Sequence, residues 1–251
     1  MRIGSCLVFV FSLALHAASP PPVILVDGWY SNCATAPRTS KSTFGQLESK
    51  LNSLGITTQY FRPCSVPVHS SYARATIEEL GQVLGALIEQ TIQQTGASQV
   101  DVIAFSMGSP TVRAYLSGKQ NAPGVFKPPE NHKIRKAVFL GGLFFGVGNG
   151  RAPAPDPQDD ALCTGTPFQW ALNTWNQGGG DLRGIDAIAV AGSGQPTETG
   201  SGQPMETGFD ISDGDGVASL TTSSLSFAYQ AERTRIITAC HVSEVCMPTV
   251  S

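Results

Sequence analysis

Residues 100–109 read Val-Asp-Val-Ile-Ala-Phe-Ser-Met-Gly-Ser. Val100 to Phe105 is a β-branched and apolar run, the composition of a strand. Val112 to Leu116 belong to a helix that Gly118 stops. Between them stands Ser106, with a small residue two places before it, Ala104, and another two places after it, Gly108. That arrangement fits a serine on a sharp strand-to-helix turn, where strand and helix crowd each other and the hydroxyl projects into the open. The N-terminus of the following helix favours negative charge developing at such a serine.

The same alternation extends outward. Val23 to Val26 (VILV) is wholly apolar, as a strand covered on both faces must be. Phe44, Leu47, Leu51 and Leu54 recur at helical spacing up to Gly55, and Thr57 to Phe61 form a second strand. Ile77, Leu80, Leu84, Leu87, Ile88 and Ile92 mark a long amphipathic helix ending at Gly96. Ala137 to Leu140, Ile185 to Val190 and Arg235 to Ala239 are further strands. Alternating strands and helices predict one mostly parallel, doubly wound α/β sheet with helices on both faces. Two stretches break the rhythm. Residues 149–180 hold Pro153, Pro155 and Pro157, then Phe168, Trp170 and Trp175, then Gly178 to Gly180, and are expected to form an irregular cap or lid. GSGQPTET (192–199) is followed by its near copy GSGQPMET (200–207), which reads as a flexible loop.

Composition narrows the class. Sixteen basic and 19 acidic residues give a net charge of −3, which excludes a basic nucleic-acid binder. The chain opens with Met1-Arg2 and an apolar run of ten, Cys6 to Leu15, then small residues. That predicts a signal peptide over residues 1–18, too short for the roughly 20 residues of a membrane span, and one domain over 19–251. The mature protein is therefore expected to be secreted or periplasmic. Five cysteines then remain: Cys33, Cys64, Cys163, Cys240 and Cys246. Cys33 and Cys64 follow the carboxyl ends of the first two strands, on one edge of a parallel sheet, and are expected to bond. Cys240 with Cys246 is one further pairing, and Cys163 with either of them is the alternative.

From Pro21 to about Met247 the chain resembles the secreted bacterial lipases and esterases of the α/β-hydrolase fold. PVILVDGW (22–29) is similar to their first core strand and oxyanion segment, VDVIAFSMGS to their nucleophile turn, and KAVFLGG (136–142) to the next strand. TPFQWALN (166–173) resembles a cap helix, DGDGVASL (213–220) the acid loop, and ITACHVSE (237–244) the histidine loop. The resemblance implies a triad in the order Ser, Asp, His. Ser106 is its nucleophile. Of the mature histidines, His69 precedes the long helix and His132 precedes a strand, whereas His241 follows the last strand at the ligand-binding edge and is assigned as the base. Asp210, Asp213 and Asp215 crowd one loop. Asp215-Gly216-Val217 matches the family's acid pattern better than Asp213 does.

By the same resemblance, the backbone N–H groups of Trp29 and Met107 form the oxyanion hole. The chain departs from the family at Asp27, where histidine usually precedes the glycine. Such an Asp can hold the turn through loop amides, but its charge opposes a nearby oxyanion. No cofactor is expected. No metal is expected either: Val242-Ser243-Glu244 lacks the carboxylate that calcium-binding relatives carry two places after this histidine. Phe144, Phe145, Phe168, Trp170 and Trp175 either line an acyl pocket or pack in core and cap. The implied activity is hydrolysis of acyl esters through an acyl-enzyme on Ser106, with a lipid or other acyl ester as partner and transient contact with a lipid surface. The alternatives are a binding protein on the same scaffold, or an acyltransferase or thioesterase.

Overall fold

The computed structural model describes residues 19–30, 38–66, 74–119, 126–149, 156–175, 180–193, 214–215, 217–225 and 233–241. The expected signal peptide lies outside them, as do Cys33, Cys246, His69, Asp210, Asp213 and nearly all of the tandem repeat. Among the described residues no helix is long and apolar enough to cross a membrane.

Six strands form one sheet: β1 (Val23–Val26), β2 (Thr58–Phe61), β3 (Val100–Phe105), β4 (Ile134–Leu140), β7 (Asp186–Gly192) and β8 (Thr234–Ile237). Their order is β2-β1-β3-β4-β7-β8, and every neighbouring pair is parallel. The predicted doubly wound α/β sheet is therefore the one observed. All four residues of β1 are buried, which is why that run carries no polar residue.

The long helix α3 (Ile77–Thr95) begins at a capping box. Thr76 accepts from the Glu79 N–H, and Glu79 reaches back to the Thr76 N–H. Ile77, Leu80, Leu84 and Ile88 bury one stripe of it. Gly81 and Gly85 sit on the face that meets α4 (Gly108–Ser117). A Cβ on Gly81 would lie 3.0 Å from the Tyr115 backbone nitrogen, so the two helices approach nearly to backbone contact. All ten residues of α4 are buried, and the nucleophile turn thus rests on a helix enclosed on every side.

Two expectations are corrected. The helix expected over residues 44–54 is two short ones, α1 (Ser40–Phe44) and α2 (Leu47–Ser53), because Gly45 takes φ +59° between them. Its apolar spacing does not seat it in the core: Leu54 is 71% exposed. Within 149–180 the described residues 156–175 are not irregular: they contain α5 (Pro157–Leu162) and α6 (Pro167–Trp175), the second over the stretch that resembles a cap helix, and β5 (Val147–Asn149) pairs in parallel with β6 (Cys163–Thr164). Ala161, Leu162, Phe168 and Leu172 join the main hydrophobic core. A four-residue helix, α7 (Leu220–Ser223), precedes β8.

A buried ion pair ties this insertion to α4. Arg113 Nε donates to Asp181 Oδ2 at 2.8 Å, with both side chains fully buried. Arg113 Nη1 also donates to Asn173 Oδ1 at 2.9 Å and to the Phe144 carbonyl at 3.1 Å. Removing one partner of such a pair leaves an uncompensated charge in the interior. Asp181→Ala is expected to lower the unfolding free energy by about 3–5 kcal/mol. The double substitution Arg113→Met with Asp181→Leu should recover much of that loss. Chemical denaturation of the three proteins measures both effects.

Candidate active site

Ser106 follows β3 directly and has φ +53°, the only positive φ at a non-glycine residue among the described residues. A side chain in that region costs on the order of 1–3 kcal/mol, so the surroundings must impose it. The Ser106 N–H donates to the Leu140 carbonyl and the Ser109 N–H to the Ser106 carbonyl, both at 3.0 Å. The space is equally constrained. A Cβ on Gly108 would fall 2.6 Å from the Val26 oxygen, and one on Gly28 would fall 2.9 Å from Ser106 Cβ. The requirement for a small residue after the serine is thus a backbone contact with the end of β1.

Parallel pairing brings the carboxyl ends of β3, β7 and β8 to one edge. Ser106 leaves β3 there, Asp215 lies in the connection from β7 to β8, and His241 follows β8. The three meet. His241 Nε2 is 2.8 Å from Ser106 Oγ, and His241 Nδ1 is 2.8 Å from Asp215 Oδ2. With its proton on Nδ1, the imidazole donates to Asp215 and leaves Nε2 to accept from the serine. The other carboxylate oxygen accepts from the Val217 N–H at 3.1 Å and the Ala218 N–H at 2.7 Å. The His241 N–H donates to the Asp215 carbonyl at 2.8 Å, so the acid and histidine loops are also joined through their backbones. His132 precedes β4, at the other edge of the sheet.

Gly28 packs on Ser106, which puts the Gly28–Trp29 peptide beside the nucleophile, and Met107 follows it in the chain. Among the described residues no acceptor takes the backbone N–H of Trp29 or of Met107. Nearly all buried N–H groups have a partner. These two N–H groups, on either side of Ser106, are the ones the sequence expectation assigns to an oxyanion hole.

Three contributors escaped the sequence reading. The ring of Phe105 lies 4.9 Å from that of His241. The Trp29 indole donates to Asp156 Oδ2 at 3.2 Å, linking the turn after β1 to the N-cap of α5. Gly141, just after β4, has φ +53°, and a Cβ there would lie 2.9 Å from His241 Nδ1 and 3.0 Å from Asp215 Oδ2. The Gly141-Gly142 pair closing KAVFLGG was the visible signal for it, but what it touches comes from loops far along the chain.

The aromatic candidates separate. Phe144 is core, packed edge-on against Phe139 with ring centroids 5.1 Å apart, and Phe168 is also buried in the core. Phe145 is partly buried against the core. Trp170 is 71% exposed and lines no enclosed acyl pocket, because it stands on the outer face of α6.

Comparison with known proteins follows the geometry. The family model described as Lipase (class 2) matches residues 20–147. No curated protein sequence matches the chain. Among solved structures, the mature form of the Bacillus licheniformis lipase BlEst2 aligns with a TM-score of 0.59 at 15% identity, covering 90% of this chain and 86% of that one. Its propeptide form aligns with a TM-score of 0.60 at 15% identity, over 90% of this chain and 47% of that one. The phospholipase PlaB from Legionella pneumophila, in complex with thio-NAD, aligns with a TM-score of 0.57 at 17% identity, over 82% and 44%. At these identities the structural likeness establishes the α/β-hydrolase fold.

Gly141→Ala tests how tightly the three side chains are held. The new methyl group strains the backbone and pushes on His241 and Asp215 together. A misplacement of about 1 Å at such a site costs about a hundredfold in rate. Reaction of Ser106 with a fluorophosphonate is therefore expected to slow by about that factor, read as a second-order labelling rate.

Proposed function

The chain belongs to the class 2 lipase family, and from that premise we propose that it cleaves acyl esters through a covalent acyl-enzyme on Ser106. The family membership makes it a lipase or esterase, a hydrolase of ester substrates. The observation that carries the mechanism is the chain of two 2.8 Å contacts from Ser106 Oγ through the His241 ring to Asp215.

The steps follow from those contacts. His241 Nε2 takes the proton of Ser106 as Oγ bonds to the ester carbonyl carbon. The carbonyl π electrons move onto oxygen, and the N–H groups of Trp29 and Met107 receive that charge. Asp215 holds the Nδ1–H and stabilises the imidazolium. When the tetrahedral carbon collapses, the alcohol leaves with the proton from Nε2. Water then enters, gives a proton to His241 and attacks the acyl-enzyme. A second collapse releases the carboxylic acid and restores Ser106. A protonated imidazole cannot start the sequence, so the rate falls on the acid side.

Ser106→Ala is expected to lower turnover of a p-nitrophenyl ester by about a million-fold while the fold survives. Asp215→Asn should lower it by about 10⁴-fold, because the imidazole loses the partner that fixes its tautomer. Unchanged hydrolysis by folded Ser106→Ala protein overturns the reading.

Export through residues 1–18 belongs to the same proposal. We read Cys64 and Cys240 as disulfide-bonded and Cys163 as a buried thiol, whose Sγ donates to the Asp159 carbonyl at 3.4 Å. These states support oxidation outside the cytosol and weigh against pairing of Cys163 with Cys240 or Cys246. We assign Cys33 to Cys64, since they follow adjacent strands on one sheet edge, and Cys246 to Cys240. In the chain-entropy model, closing the first loop stabilises by about 3–4 kcal/mol. Non-reducing peptide mapping of the exported protein is expected to give both bonds and an N-terminus near residue 19. Alkylation of Cys33 in the native protein rejects the first bond.

A further inference from the structure

We propose that Asp27 is a positioning residue for the oxyanion hole, acting through the Gly28–Trp29 turn. The inference rests on the proposed role of Ser106 and Trp29, and it concerns a buried carboxylate that the hydrolytic steps above do not use.

Asp27 is the first residue after β1 and is fully buried. Its backbone N–H donates to the Phe61 carbonyl at 3.1 Å, which continues the pairing with β2 by one residue. Its carboxylate gathers four donors. Oδ1 accepts from the Gly28 N–H at 2.7 Å. Oδ2 accepts from the Thr43 hydroxyl at 3.1 Å and from the hydroxyls of Tyr30 and Tyr60. The Tyr30 ring is covered in turn by the Arg38 guanidinium, 3.9 Å from its centroid, and Arg38 is the cation that acts on Asp27 through space.

The consequence for the site is directional. The Gly28 N–H is turned onto Asp27 and withdrawn from solvent and substrate. The next N–H along, that of Trp29, has no acceptor among the described residues. Gly28 itself is wedged between Asp27 and Ser106, since a Cβ there would lie 2.9 Å from Ser106 Cβ and 3.3 Å from the Phe105 ring. The bond orients the Asp27–Gly28 peptide, and the packing of Gly28 on Ser106 and Phe105 limits the rotation about Gly28 that sets the next peptide, the one that carries the Trp29 donor. A charge-assisted bond to a carboxylate is shorter and roughly twice as strong as a neutral one, which suits it to hold one peptide plane against others.

The charge also has somewhere to go. Thr43 is on α1 and Tyr60 on β2, and β2 lies on the opposite side of β1 from β3, which carries Ser106. The Tyr60 hydroxyl on that far side, with those of Thr43 and Tyr30, draws the negative charge onto Oδ2, the oxygen that does not hold Gly28. The arrangement is not one that stability alone would retain. Burial pushes the Asp27 carboxyl above its ordinary value, against the pull of its hydrogen bonds. A carboxyl whose pKa is raised by folding contributes stability that is complete below its unfolded pKa and is lost as pH rises through the folded one. Ionisation of Asp27 thus costs the folded protein stability as the pH rises.

The test separates positioning from packing. In Asp27→Asn the shape is kept and Oδ1 can still accept from Gly28, but the charge is gone and an NH₂ group faces three hydroxyls. For hydrolysis of a p-nitrophenyl ester, kcat is expected to fall between about tenfold and a hundredfold, with KM within about twofold. Labelling of Ser106 by a fluorophosphonate should slow in parallel, because its phosphoryl oxygen uses the same donors. The melting temperature at pH 7 should be unchanged or higher. An unchanged kcat overturns the proposal, and so does a fall in kcat that comes with a lower melting temperature and a raised KM. Tyr60→Phe removes one donor and keeps the charge, so the test survives if Asp27→Asn does not fold. It is expected to lower kcat by about threefold or more at constant KM, and an unchanged kcat there also overturns the proposal. If the wild-type protein is not labelled at Ser106, the serine reading itself fails, whatever Asp27 does.

Discussion

A side chain held at φ +53° between a strand and a helix is the constraint around which this molecule is arranged. Ser106 can be kept there only if its neighbours give up their own side chains. The sheet order supplies those neighbours, since β1 and β4 flank β3. The turn after β1 brings Gly28 against Ser106, and the turn after β4 brings Gly141 against His241 and Asp215. On the helix side Gly108 meets the last carbonyls of β1 and the turn after it. Three glycines on three separate segments therefore converge on one point. Each is required by the closeness of backbone or of a functional side chain, and enlarging any of them moves the site before it moves the fold.

Beneath that point the protein uses buried charge in more than one way. Arg113 reaches from the nucleophile helix to Asp181, Asn173 and the Phe144 carbonyl. It secures the insertion between β4 and β7 onto α4. The indole of Trp29 and the guanidinium of Arg74 both contact Asp156, at 3.2 and 3.0 Å, so the same insertion also grips the turn after β1. The described part of the expected cap is tied at Asp156 to the turn after β1 and at Asn173 to α4.

The sheet was legible because its strands are short apolar runs separated by helical periodicity, and α3 announced its end with Gly96, whereas its Thr76–Glu79 capping box went unread. Ser106 was legible from local sterics, since Ala104 and Gly108 bracket a strand-to-helix turn. His241 followed from its place after the last strand, and Asp215 from its resemblance to an acid loop. What escaped was contact between distant segments. Pro157 was counted as loop punctuation, yet it stands at the first position of α5, where a missing N–H costs nothing. The spacing of Leu47, Leu51 and Leu54 looked amphipathic, but α2 has no fully buried residue. The four donors on Asp27 come from residues 28, 30, 43 and 60, and no periodicity brings those together.

The two carboxylates near Ser106 show how placement decides what a charge does. Asp215 hydrogen-bonds the imidazole directly, so in the proposed mechanism its charge falls on the group that becomes positive when Ser106 gives up its proton. Two unit charges about 4 Å apart interact by roughly 4 kcal/mol at an effective dielectric of 20, large enough to matter at each proton transfer. Asp27 lies behind the group that receives negative charge, where the same interaction opposes the reaction if its field is left open. Its oxygens are instead covered by the Gly28 amide and by hydroxyls of Tyr30, Thr43 and Tyr60. What reaches the site is then a fixed peptide orientation, with the field of the anion largely absorbed by the donors around it. In the proposed mechanism a carboxylate two positions before an oxyanion donor is compatible with it only on those terms, and Tyr60 of β2 and Thr43 of α1 are among the residues that meet them.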